Sequence, residues 1–312
     1  MAHRGPIRIG TRGSRLALWQ ANAVREAIAA AHGLPLDSLE IVPITTTGDR
    51  VRDRPLSEAG GKGLFSKEIE AALLAGSIDV AVHSAKDMET LLPGGLAVAA
   101  CLPREDVRDA LVAREVASLD ALPQGARVGT ASLRREALLR RVRSDLQISL
   151  LRGNVPTRVA KVESGQLDAT VLASAGLRRL GMTDRISALL PLEKFPPACG
   201  QGTIAIECRK DDADIQGLLQ ALDHRETAAS LACERAFLAA LGGSCKTPVA
   251  GYARIHAGEL RFDGVVLSAD GRESYEARGV GPVADAALIG AAAGEDILRR
   301  APADFLKRLG IG

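Results

Sequence analysis

From Ile7 onward, strand-like apolar runs alternate with amphipathic helical patterns, and the alternation restarts after Leu102. IRIGT (7–11), LEIVPITT (39–46), IDVAVHS (78–84) and GLAVAACL (95–102) form the first series. DALVA (109–113), ARVGTAS (126–132), LQISLLRG (146–153) and LDATVLA (167–173) form the second. Helical patterns at 15–32, 64–76, 133–143 and 155–165 stand between them. Parallel strands need a crossover long enough to hold a helix, so this alternation implies mainly parallel sheets in two α/β lobes. Ser14 is placed to cap the first helix and Gly33 to end it, while Pro156 suits the first turn of another. After Leu222 the character changes to a helix, a strand-rich stretch (252–279) and two short helices, which predicts a smaller α+β domain.

A chain of 312 residues exceeds one ordinary core, which fits this division. The expected domains are 1–102 with 203–220, then 108–196, then 225–312; GTIAIECR returns the chain to the first. The opening MAHRGPIRIG lacks a signal-peptide apolar core, and no window offers the about 18 unbroken apolar residues of a membrane span. The five cysteines (Cys101, Cys199, Cys208, Cys233, Cys245) are scattered and odd in number, as expected of reduced thiols in a cytoplasm. They form no CxxC, the histidines form no HxxxH, and no metal is expected.

In such sheets, ligands bind beyond the carboxyl ends of strands. Polar groups collect at those ends. Arg12 and Ser14 follow IRIGT; His83, Ser84, Lys86 and Asp87 follow IDVAV. Thr130, Ser132, Arg134 and Arg135 follow ARVG; Arg152, Gly153 and Asn154 follow LQISLL. From Arg127 to Arg158 there are eight arginines, no lysine, and only Glu136 and Asp145 as acids, a local net of 8 − 2 = +6. Aromatic residues make up 3% of the chain and none lies in this block, which argues against base stacking and nucleic acid. Arginine without lysine suits bidentate recognition of carboxylate or phosphate. Arg140, Arg141 and Arg143 also fit a solvated helix face. GGKGLF (60–65) lacks the spacing of a phosphate loop, and GVGPVA (279–284) fits a dinucleotide fingerprint in the wrong context.

GGKGLFSKEIE, DVAVHSAKD, GTASLRR, SLLRGNVPTR, AGLRRLG and GQGTIAIECR occur in the order found in the porphobilinogen deaminase family, which the chain resembles from Ile7 to beyond Tyr252. The resemblance implies a monomeric, three-domain transferase whose first two lobes are hinged as in binding proteins. Four porphobilinogen molecules would be joined head to tail into the linear tetrapyrrole hydroxymethylbilane, with release of ammonia. The growing chain would start from a dipyrromethane cofactor held by a thioether to Cys245, in LGGSCKTPVAG (241–251).

The resemblance also implies roles. Asp87 would be the catalytic carboxylate. Lys86, Asp87, Ser84, Thr130, Ser132, Arg134, Arg135, Gly153 and Arg158 would hold the cofactor. Arg12, Ser14, Lys62, Arg152, Asn154, Arg179 and Gln201 would bind substrate. Each pyrrole carries an acetate and a propionate, so an arginine-rich, aromatic-poor site suits the chain chemically. Asp87 also fits a helix cap, and His83 a buried, satisfied imidazole. The chain departs from relatives at Glu58, Ala85, Cys199 and Ser244. The rival expectation is a non-catalytic, two-lobed anion-binding module, which needs the arginines but neither Asp87 nor Cys245.

Overall fold

The structure is a computed structural model that describes residues 5–50, 63–242 and 247–311. The chain runs β1 (Ile7–Arg12), α1 (Arg15–His32), β2 (Leu39–Ile44), α2 (Thr47–Arg50), α3 (Lys67–Leu74), β3 (Val80–Ser84) and β4 (Leu96–Cys101). It continues β5 (Asp109–Ala113), β6 (Arg127–Thr130), α4 (Leu133–Val142), β7 (Gln147–Leu150), α5 (Val155–Glu163), β8 (Ala169–Ala173), α6 (Ser174–Arg179) and β9 (Ala188–Leu189). Then come β10 (Ile204–Arg209), α7 (Ala213–Gln220), α8 (Arg225–Ala240), β11 (Val249–His256), β12 (Glu259–Leu267), β13 (Ser274–Pro282), α9 (Ala286–Arg300) and α10 (Ala303–Leu309). Two compact units result: residues 1–104 with 203–228, and residues 105–202 with 229–312.

The first unit holds a sheet ordered β2-β1-β3-β10-β4. β1, β2 and β3 pair in parallel, while β10 runs antiparallel to both neighbours, so only β10 opposes the common direction. Ile9, Val80, Val82, Ile204 and Ile206 face the apolar side of α1, built from Ala21, Val24 and Ile28. Ser14 Oγ accepts from Ala17 N at 3.3 Å, and Gly33 ends the helix at φ 63°. Such a serine cap is worth about 1 kcal/mol against alanine.

The second unit repeats the plan as β7-β6-β8-β5-β9, again with one opposed strand, β5. It also carries the separate antiparallel sheet β11-β12-β13. Phe237 of α8 packs tilted on Phe262 of β12 with ring centroids 4.9 Å apart. The expected pair of short C-terminal helices is a long α9 followed by a short α10. Gly279 and Gly281 lie in β13 under α9, where a Cβ on Gly279 would stand 2.4 Å from Ile289 Cγ2. Helix packing therefore accounts for the glycines of GVGPVA.

Candidate active site

In the first unit, Arg12 ends β1 and Asp87 closes a 3-10 turn, Ala85–Asp87, directly after β3. Arg12 donates through Nε and Nη2 to Asp49, and its guanidinium lies 4.2 Å from the Phe65 ring centroid. The segment after β2 opens with the helical turn α2, Thr47–Arg50. Thr47 N donates to Glu68 Oε1 at 2.9 Å and Gly48 N to Leu64 O at 2.6 Å. Burial alone would raise the Asp49 carboxyl, but hydrogen bonding and charge from Arg12 hold it below the ordinary range.

Asp87 is differently placed. Arg12 Nη1 stands 3.9 Å from its Oδ2, beyond hydrogen-bond reach, and the Asp87 side chain is 37% exposed. Among the described residues it accepts no hydrogen bond. The cap role considered for Asp87 is therefore not what the structure gives it. Ser84 exchanges hydrogen bonds with Gln20 at 2.9 and 3.2 Å, and Lys86 lies half-buried in the same turn. His83 is a buried imidazole with Nε2 3.1 Å from Glu207 Oε2, the structural role its position allowed.

In the second unit, three helices begin at the carboxyl ends of parallel strands. Ser132 caps α4, accepting from Arg135 N at 3.4 Å, and Thr130 Oγ1 accepts from Ser132 N at 3.1 Å. Asn154 caps α5, accepting from Thr157 N at 3.0 Å and Thr157 Oγ1 at 2.7 Å. Gly153, at φ 115°, precedes that cap, and a Cβ there would meet Thr157 Cγ2 at 2.9 Å. Arg158 Nε donates to Gly153 O at 2.8 Å. Helix N-termini carry partial positive charge and unpaired N–H groups, so α4 and α5 add to the arginines' attraction for anions.

The arginine block sorts by neighbour. Arg127 pairs with Asp168, Arg140 with Glu136, and Arg143 with Asp145, while Arg141 reaches Ser274. Arg134 and Arg135 are buried, at 4% and 7% side-chain exposure, on the fully buried Asp109. Burial lowers the Arg134 guanidinium, opposed by Asp109, and burial also lowers Arg152. Arg179 is pushed down to about 10 by burial, against the charge of Glu105, and donates to Gly202 O at 2.6 Å. Gln201 is fully buried behind the arginine pair, donating to Val107 O at 2.7 Å and Asp109 Oδ1 at 2.9 Å.

The structure thus brings Arg12, Ser14, Ser84, Lys86 and Asp87 to strand ends of one sheet. Thr130, Ser132, Arg134, Arg135, Arg152, Gly153, Asn154 and Arg158 gather at strand ends of the other. Lys62, Glu58, Ser244 and Cys245 lie outside the described residues. Among the buried carboxylates that sequence reasoning missed are Asp109 and Glu234, the latter accepting from Gly200 N at 2.6 Å and Ala253 N at 2.8 Å. The available signal was an acid opening or interrupting an apolar run, in DALVA and LACERAFLAA. The other four cysteines are buried, and burial pushes Cys208 up to about 11 and Cys233 up to about 12.

The family model described as "Porphobilinogen deaminase, dipyromethane cofactor binding domain" matches residues 7–217, and that of its C-terminal domain matches residues 228–299. A porphobilinogen deaminase of Nitrobacter hamburgensis is 52% identical over 297 residues, 95% of this chain and 94% of the relative. Among solved structures, a domain of BvgS from Bordetella pertussis aligns with TM-score 0.42 at 19% identity, over 71% of this chain and 88% of that one. The aliphatic sulphonate binding protein SsuA of Escherichia coli aligns with TM-score 0.40 at 16% identity, over 75% and 70%.

Proposed function

The chain belongs to the porphobilinogen deaminase family, and on that premise we propose that Asp87 is its catalytic group and Cys245 the anchor of its cofactor. The enzyme polymerises porphobilinogen into the linear tetrapyrrole hydroxymethylbilane on a dipyrromethane primer. Dipyrromethane, when bound, supplies the anchored terminal ring that accepts the first incoming pyrrole. The donor set of the second unit fits a polycarboxylate. It offers capped helix N-termini, a glycine at 153 that admits close approach, and the partly exposed Arg152 and Arg158. Ser132, Arg134, Arg135, Gly153 and Arg158 would hold cofactor carboxylates, with Thr130 supporting Ser132. Arg152, Asn154 and Arg179 would receive those of substrate. Ser84, Lys86 and Arg12 supply polar and cationic groups beside Asp87, and Ser14 and Lys62 complete the set.

The observation that carries the catalytic assignment is that Asp87 accepts no hydrogen bond among the described residues. Loss of ammonia from porphobilinogen leaves a cation delocalised over the ring and its N–H. A carboxylate with free oxygens can accept that N–H and stabilise charge that develops only during reaction. It can also take up a proton in the same place. Arg12 commits Nε and Nη2 to Asp49, so it approaches Asp87 only through Nη1, at 3.9 Å, without donating to it.

Three domains, divided as expected from the sequence, a monomer and a cytoplasmic location complete the proposal. Among the described residues no helix is long and apolar enough to cross a membrane. The burial of four thiols supports the fifth, Cys245, as the reactive one. The test is the intact mass of purified protein: an excess of two pyrrole units is expected, and bare sequence mass in active protein would refute the reading.

Arginines on different elements should act at different stages of elongation. Leucine at Arg134, Arg135, Arg152 or Arg158 is expected to leave different populations of one-, two- and three-substrate adducts, resolved by mass. Identical distributions in all four variants would remove staged binding.

A further inference from the structure

Asp109 opens β5 and has no contact with solvent. Its Oδ2 accepts from Arg134 Nη2 at 2.9 Å. Its Oδ1 accepts from Arg135 Nε at 3.2 Å, Arg135 Nη2 at 2.8 Å and Gln201 Nε2 at 2.9 Å. Burial alone would raise this carboxyl, yet the two guanidiniums and Gln201 hold it well below the ordinary range. The carboxylate is charged, accepts four hydrogen bonds, and is used by no step above. We propose that Asp109 is a positioning residue that presents Arg134 and Arg135 to the pyrrole chain as one net positive charge with fixed edges. The inference rests on the reading that these arginines bind that chain.

Arg134 and Arg135 are neighbours in the first turn of α4, and both are buried. Two guanidiniums so enclosed repel each other, and the Arg135 charge indeed lowers Arg134. Asp109 reverses that balance. Two positive charges and one negative leave +1, matched to a single ligand carboxylate. The geometry is specific as well. Arg134 turns Nη2 to Asp109 and Nη1 to Pro196 O at 2.6 Å, while its buried Nε has no partner among the described residues. Arg135 commits Nε and Nη2 to Asp109 and keeps Nη1. Gln201 locks the shared oxygen through a second segment, and Arg135 Nη2 also lies 3.4 Å from Gln201 Oε1. Without the carboxylate the pair would splay apart, and a ligand would meet two disordered charges.

The test uses full-length protein with Asp109→Ala, in which formate can enter the space left by the side chain. In wild type the two-pyrrole mass is expected on the purified protein. In Asp109→Ala the loaded fraction should fall and KM for porphobilinogen should rise, each at least about tenfold. Formate added during cofactor loading should restore both saturably, whereas formamide, equal in shape but uncharged, should not. Wild-type loading and KM in the variant would overturn the proposal, as would a loss that formate does not reverse in folded protein. If Asp109→Ala is recovered unfolded, Asp109→Asn replaces it. Native thermal stability with a tenfold loss of loading supports positioning; wild-type loading, or failure of both variants to fold, overturns it. Wild-type protein lacking the two-pyrrole mass would instead remove the reading on which the inference rests.

Discussion

Asp87→Asn is expected to lower turnover by about a hundred- to a thousandfold, the range seen when one preorganised electrostatic group is removed from an active site. Asparagine keeps the size of aspartate and can still accept one hydrogen bond, but it carries no charge to offset a developing cation. The fold should tolerate the change. Asp87 accepts no hydrogen bond among the described residues, and its ion pair with Arg12 is long at 3.9 Å and half-exposed. Exposed pairs of this kind contribute about 0–1 kcal/mol. The variant should therefore purify with the two-pyrrole mass and an unchanged melting temperature. Stopped assays with a fixed amount of porphobilinogen would measure the loss, and near-normal turnover would take Asp87 out of the chemistry.

Cys245→Ser is expected to give protein without a thioether-linked cofactor and with little activity. The sequence places Cys245 after Gly242, Gly243 and Ser244, small residues that leave room for a ring, and before Lys246, which favours the thiolate. Serine hydroxyl is a far weaker nucleophile and does not form the carbon–sulfur bond. Serine at Cys101, Cys199, Cys208 or Cys233 should keep the cofactor, because those thiols are buried, and burial holds Cys208 and Cys233 in the protonated form. Peptide mass mapping decides the matter. A dipyrromethane adduct on another cysteine, or on none in active enzyme, would sink the assignment.

Much of this was legible in the sequence because it depends on local pattern. Alternating apolar runs marked the strands, and Ser14 and Gly33 bounded α1 where the structure bounds it. Polar residues at strand ends were readable because topology, not detailed packing, decides where ligands meet such sheets. What stayed hidden depends on contacts between distant segments. Arg134 and Arg135 read as open anion binders, yet Asp109 and Gln201, remote in sequence, enclose them. The length of α9 was obscured by Gly290 and Gly294, which ordinarily weaken a helix. In the structure they let α9 lie against α8: a Cβ on Gly290 would be 1.9 Å from Cys233 O, and one on Gly294 2.7 Å from Ala240 Cβ. Close packing chose those residues, and propensity alone could not show it.

The position of β10 has a consequence for biosynthesis. That strand fills the gap between β3 and β4 but is translated only after the whole Glu105–Gly202 segment. A nascent chain that has emerged through Arg104 holds β3 and β4 with no strand to join them, and their unpaired edges face solvent. The sheet from β5 to β9 needs only residues 109–189 and can close while the ribosome is still extending the chain. The part made first is therefore completed later. During that interval its open edges are where a chaperone would be most useful and where strand-to-strand aggregation would begin.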